Sequence, residues 1–425
     1  MRIPILISAA LILLSACSTS TSNNISTTKD DANNRHAGHS KSKGSLTPEC
    51  LNASALPSPH CGRVPSLAFD DDGVLYAVFS QNGHIYITTS PDKGRSYNSP
   101  VVVNTAPERI YDDGENRPKI LLGKRDEIFV SWTHKTPGRY SGDVRFARSL
   151  DKGKHFDTPI TINADQSLIS HRFDAMSLDQ DGRIFITWID KRDQQKAKDR
   201  QQEYAGASIY YAISEDNGVS FKTNYKLADH SCECCRIAMD SDSDGKVVAL
   251  WRHVYPGNIR DHAISYIDSQ GASIKGLPTK ATDDAWQIEG CPHHGPDIAI
   301  DQQNIAHMAW FSQGMKNKGL MYGQFDLQNE QSTSVQSIDA KAGAARPQVE
   351  VMGQSVYLLW KRFNGISMSL LTRYSNDKGK SWSEDKIIAT TANGSDHPDW
   401  IRDRNDLYAS WQTQSEGLTL IKVTQ

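Results

Sequence analysis

An all-β propeller of about seven four-stranded blades is the fold class this sequence predicts, and three observations predict it. A two-stranded pattern recurs seven times, every copy alternates apolar and polar residues, and the copies lack a helical period. The copies are "VPSLAFDDDGVLYAVF" (64–79), "RPKILLGKRDEIFVSW" (117–132), "FDAMSLDQDGRIFITW" (173–188), "RIAMDSDSDGKVVALW" (236–251), "GPDIAIDQQNIAHMAW" (295–310), "RPQVEVMGQSVYLLW" (346–360) and "HPDWIRDRNDLYASW" (397–411). Each reads as a strand, a polar turn and a second strand, which in six copies ends in tryptophan. They recur about every 50 to 65 residues, the spacing of blades in a closed ring of small sheets.

In chain order, "MRIPILISAALILLSACSTS" comes first. Arg2 is a short positive region, and Ile5 to Leu14 is an apolar run too short to span a bilayer. "LSAC" resembles a bacterial lipobox, which implies cleavage after residue 16 and a lipid on Cys17. The implied location is the cell envelope, as an outer-membrane lipoprotein whose membrane contact is that lipid. Residues 17–48 are polar and aperiodic, too poor in apolar surface to offset their ordering entropy, and read as a tether. Residues 49–425 hold the propeller. The formal net charge is -3 and basic residues form no stripe, so nucleic acid is not an expected partner.

After a third strand in most units come "SPDKGRSY" (90–97), "SLDKGKHF" (149–156), "SEDNGVSF" (214–221) and "SNDKGKSW" (375–382). Serine and aspartate side chains suit a turn backbone and glycine suits positive φ. These stretches match the Asp-box of the sialidase-like (BNR repeat) propellers, and the resemblance covers nearly all of 63–425. Sialidases of this family have six blades, so six is the alternative to the seven hairpins counted here. The final unit offers three strands, and residues near 50–60 are expected to supply its fourth.

In a propeller the first strand of each blade lines the channel, and its start opens on one face. At those starts stand Arg63, Arg117, Arg172, Arg236 and Arg346, with His294 and His397 in the other two units. Such guanidiniums need carboxylates or an anionic ligand among them, and the planar fork of arginine suits carboxylate and sulfate. Asp113, Glu115, Asp174, Asp190, Asp193 and Asp297 are the nearby acids. The sialidase resemblance implies a carboxylate-binding role for Arg63 in "GRVP". It implies an acid at Asp190 in "WIDKRD", and Tyr255 in "WRHVYPGNIRD" is the nucleophile candidate. No glutamate stands at a recognisable partner position for that tyrosine. The charged stretch 191–206 after Asp190 is a rim loop or lid.

"SCECCRIAMD" and "GCPHHGPDIAI" bring Cys232, Cys234, Cys235 and Cys291 to the starts of adjacent blades. Besides Cys17 the cysteines are even in number, and Cys50 and Cys61 are close enough to pair. Disulfides among the other four are the first expectation, Cys291 with Cys234 or Cys235 and Cys232 with the one left over. A copper or zinc site using these thiolates with His293, His294 or His253 is the second, and a redox-active dithiol the third. Function divides in the same way. The first reading is recognition of an anionic glycan, with or without hydrolysis. The others are a non-enzymatic metal-handling lipoprotein and a protein-docking scaffold.

Overall fold

The computed structural model describes residue 50 and residues 56–272, 278–333 and 335–424. Cys17, the leader and the tether lie outside the described residues. The described residues form seven antiparallel sheets in chain order: blade 1 (63–102), blade 2 (119–161), blade 3 (171–231), blade 4 (238–280), blade 5 (297–339), blade 6 (344–391) and blade 7 (399–422). The fold is an all-β, seven-bladed propeller. In blades 1, 3, 4 and 5 the hairpin turn is set by an aspartate that accepts backbone N–H groups across it, as Asp70 does from Asp72 and Val74.

Packing between blades holds the ring. Trp132, Trp188, Trp251, Trp310, Trp360 and Trp411 are the largest fully buried side chains. Five of their indole N–H groups find an acceptor: Glu108, Asp190, Asp284, Asp339 and the Asp396 carbonyl. That of Trp251 has none among the described residues.

The Asp-boxes form one hydrogen-bond pattern repeated four times. Ser90, Ser149, Ser214 and Ser375 each accept the N–H of the glycine four residues on, at 2.8–2.9 Å. Each donates to the box aspartate at 2.7–2.8 Å. Lys93, Lys152, Asn217 and Lys378 precede the glycines with φ of 55–60°, so two successive residues turn left-handed. The aromatic at the box end reaches the preceding blade: the Phe221 ring meets Phe146 at 5.0 Å, and Trp382 meets Tyr322 at 4.9 Å. The boxes therefore fasten blades to each other as well as closing turns.

Residues 51–55, part of the segment expected to supply the fourth strand of blade 7, lie outside the described residues. Blade 7 has three strands among the described residues, and residues 58–62 form a turn, not a strand. Cys50 and Cys61 are joined by a disulfide, and Gln412 Nε2 donates to the carbonyls of Pro59 and Gly62 at 3.0 and 2.5 Å. Side chains complete the closure. Leu67, Leu75 and Ala77 of blade 1 pack on Ile401, Tyr408 and Leu418 of blade 7, and Lys93 pairs with Asp403 at 2.7 Å. Pro57 and Pro59 supply no N–H for a ladder in that segment.

Candidate functional site at the channel mouth

Three first strands open with a bulge. The register shifts in blades 1, 3 and 6 beside Arg63, Arg172 and Arg346, and Val64, Phe173 and Arg346 sit at φ of 46°, 59° and 60°. A β-branched or bulky residue in that region is strained, and a bulge re-aims the side chains around it. The strain sits where the channel opens.

Four of the five strand-start arginines are neutralised internally. Glu115 is the hub, 4% exposed. Its Oε1 accepts from Arg346 Nη1 at 2.5 Å and lies 3.5 Å from Arg236 Nη1, while its Oε2 accepts the Arg236 backbone N–H at 2.9 Å. His397 Nδ1 stands 3.7 Å from the same Oε1. Burial, then the charges of Arg346, Lys361, Arg117 and Arg236, holds that imidazole well below its usual range, so it is neutral. Gly114 makes the approach possible, because a Cβ there would meet the His397 ring at 2.5 Å. Arg117 pairs with Asp396 at 2.7 Å, and Arg63, on the rim, with Asp112 at 2.9 Å. Beside them lies a cavity of about 260 Å³ whose wall includes Glu115, Arg117, Lys119, Arg236, Asp297 and His397. Below the arginines burial pushes Asp297 up to about 7 and Glu350 up to about 8.

Arg172 is different. It is 7% exposed, and no carboxylate lies within 4.0 Å of its guanidinium among the described residues. Its Nε is without a hydrogen-bond partner. The guanidinium lies 3.8 Å from the Tyr111 ring centre, 4.6 Å from that of Phe173 and 6.0 Å from that of Tyr140. Burial lowers its proton affinity, and Tyr111, Asp113, Cys234 and Tyr140 draw it back up. Lys135 Nζ stands 5.2 Å from the Tyr111 ring centre and Arg139 5.1 Å from that of Tyr140. Both cations also lack a carboxylate within 4.0 Å among the described residues, and Tyr140 is 58% exposed. A cationic and aromatic rim results, of which sequence reasoning found only Arg172. The missed residues occupy "IYDD" (110–113) and "HKTPGRYSG" (134–142), stretches outside the repeat. Two cations and an aromatic around Pro-Gly in a long strand connection were the available signal.

The two catalytic candidates do not join this site. Asp190 is fully buried: its carboxylate accepts from Trp188 Nε1 at 2.8 Å, Arg192 Nη2 at 2.6 Å and the Arg192 backbone N–H at 2.9 Å. It anchors a strand end. Burial, with Asp261 adding to it, pushes the Tyr255 hydroxyl far up, and that hydroxyl meets only the His262 carbonyl, at 3.5 Å. No glutamate activates it among the described residues. The charged stretch expected as a lid instead contains a helix, α1 (Arg192–Asp199), because its Gln, Lys, Ala and Arg residues are good helix formers. Asp193 accepts from Ser208 and Tyr210, and Gln194 donates to Glu233, so the helix is fixed to blade 3 and to the cysteine loop.

The expected bridges among Cys232, Cys234, Cys235 and Cys291 are not formed. All four are thiols. The Sγ atoms of Cys232 and Cys234 lie 3.9 Å apart, and those of Cys235 and Cys232 3.7 Å; a disulfide needs about 2 Å. Cys291 meets Cys234 from the next blade. The histidines stand apart from this cluster: His294 stacks on Phe311 at 4.1 Å, and His253 packs on Tyr255 at 4.5 Å, its proton affinity lowered by burial to about 4.

No protein-family model and no curated protein matches the chain. Solved structures do. A polysaccharide lyase of family PL25, an ulvan lyase, superposes with a TM-score of 0.56 at 13% identity, over 87% of this chain and 92% of that one. A further polysaccharide lyase gives 0.54 at 10% identity over 86% and 91%. A Hadza microbial sialidase gives 0.50 at 10% identity over 81% and 74%. At these identities the likeness is one of fold alone, a β-propeller.

Proposed function

We propose that the channel mouth binds an acidic glycan, its carboxylate or sulfate held by Arg172 with Lys135 and Arg139, its sugar rings laid on Tyr111 and Tyr140. One observation carries this reading: among the described residues these cations have no carboxylate within 4.0 Å, while the other strand-start arginines do. Stacked, desolvated guanidinium is a strong partner for planar anions. One structural neighbour, a PL25 ulvan lyase, is described as bound to a repeating glycan of GlcA and sulfated Rha. That ligand has the chemistry this rim suits. The lipobox-like "LSAC" supports the further reading that a lipid on Cys17 would hold the chain at the cell envelope.

A lyase reading has support of its own. Elimination beside a uronate needs a cation on the carboxylate and a proton carrier close by. The Tyr111 hydroxyl, buried and without a hydrogen-bond partner, lies on the ring that Arg172 covers.

The test is calorimetric titration of uronate-containing, sulfated and neutral oligosaccharides into the full chain and into Arg172→Gln. Acidic glycans should bind and neutral ones should not. Losing a charge-assisted contact should weaken binding about 10- to 100-fold, with the melting temperature unchanged. Equal affinity of the variant, or preference for neutral sugars, would refute the reading.

A further inference from the structure

We infer that Cys232, Cys234, Cys235 and Cys291 form a four-thiolate site for a soft d10 metal ion, zinc(II) or copper(I), that clamps the loops entering blades 4 and 5. This inference is independent of the glycan reading.

Geometry is the first support. A tetrahedral shell with metal–sulfur bonds of about 2.3 Å has sulfur–sulfur edges of about 3.8 Å. The observed separations are 3.9 and 3.7 Å. The ligand atoms of Cys232, Cys234 and Cys235 all lie within 4.8 Å of one another, and Cys291 approaches Cys234 as a fourth donor. The exposures of the first three are 1%, 5% and 2%. A closed sulfur shell of this kind marks a structural site.

Charge is the second, and it is independent of distance. Arg252 is 1% exposed, and its guanidinium donates only to carbonyls: Arg260 at 2.8 Å, His294 at 3.0 Å and Phe311 at 2.8 Å. Arg260 Nη1 points at Cys232 Sγ, 3.5 Å away. Neither arginine has a carboxylate within 4.0 Å among the described residues. Arg252 is the fully buried one of the two, and a buried cation without a carboxylate at ion-pair distance is costly. Four thiolates around a divalent ion leave two negative charges, and around a monovalent ion three, which supplies what these guanidiniums lack. The blade-4 tryptophan, Trp251, packs in the same cluster and, alone of the six second-strand tryptophans, has no acceptor for its indole N–H among the described residues. In blades 2, 3, 5, 6 and 7 an oxygen accepts the equivalent N–H, a role that anionic sulfur can fill.

The clamp has a mechanical consequence. Cys232 is tied to Arg252 by its backbone N–H, and its neighbour Glu233 is tied to α1 through Lys191 and Gln194. Closing the sulfur shell therefore couples helix, blade 4 and blade 5 at the mouth.

The experiment combines metal analysis, thiol titration and X-ray absorption on the full chain, purified without added reductant or chelator. One equivalent of zinc or copper, four thiols besides that of Cys17 titratable after denaturation with chelator, and a metal–sulfur shell near 2.3 Å are expected. The absorption edge separates the two ions, and either supports the site. Arg260→Ala, which leaves all four sulfurs, should lower affinity for added zinc roughly 10- to 100-fold, as outer-shell changes do. Cys291→Ser removes the half-buried donor, and its sulfur coordination number should drop by one. Metal-free protein with zero titratable thiols besides that of Cys17, or a zinc affinity unchanged by Cys291→Ser and by Arg260→Ala, would overturn the inference.

Discussion

The two faces of this propeller treat the same repeat in opposite ways. On the Asp-box face, Ser90, Ser149, Ser214 and Ser375 make one set of bonds four times over. At the mouth, equivalent strand starts carry arginines, and each finds a different partner: Asp112, Asp396, a Glu115 shared by two, or an aromatic ring. Repetition marks groups whose partners are local and carried in the same unit. Divergence at equivalent positions marks groups whose partners come from elsewhere. Arg172, with no carboxylate within 4.0 Å among the described residues, is where the proposed anionic ligand would sit.

The largest expected effect breaks the mouth. Glu115→Ala leaves Arg236 and Arg346, with side chains 16% and 13% exposed, without their shared carboxylate, a loss of about 3–5 kcal/mol. Chemical denaturation would measure it, and a loss below about 1 kcal/mol, the worth of an exposed pair, would show that the hub is not holding these arginines. Ser375→Ala is intermediate. It orphans the buried Gly379 N–H, costing about 1–3 kcal/mol, and Ser214→Ala should cost the same within error because its box makes the same bonds. Unequal costs in thermal melts of the two variants would contradict the idea that the boxes are interchangeable. Arg63→Ala is smallest. Its side chain is 67% exposed, so about 0–1 kcal/mol is expected, whereas Arg172→Gln should change ligand affinity and leave stability alone.

Legibility followed the distance between partners in the chain. The hairpins and boxes were readable because a turn aspartate and the N–H groups it accepts lie within four residues of each other. Glu115 was visible as an acid near the arginines, yet its bonds to Arg236 and Arg346 span 121 and 231 positions, and no periodicity encodes those. Asp190 looked like an acid at the mouth because it ends a strand there. Only the positions of Trp188 and Arg192 show that its oxygens are already occupied. Tyr111, Lys135, Tyr140 and Arg139 escaped notice because they stand outside the repeat, in connections where no neighbouring copy offers a comparison.

By itself, the sequence determined the all-β class, the seven hairpins, the box chemistry and the gathering of cysteines at two adjacent blade starts. Short-range patterns suffice for these, since alternation selects the buried face and the turn residues close each hairpin. The tertiary structure alone decided which arginines are neutralised, that residues 58–62 buttress blade 7 without joining its sheet, and that four sulfurs meet as thiols beside Arg252 and Arg260. Each of these depends on the order of blades around the ring. That order brings together side chains between which no local rule of spacing exists.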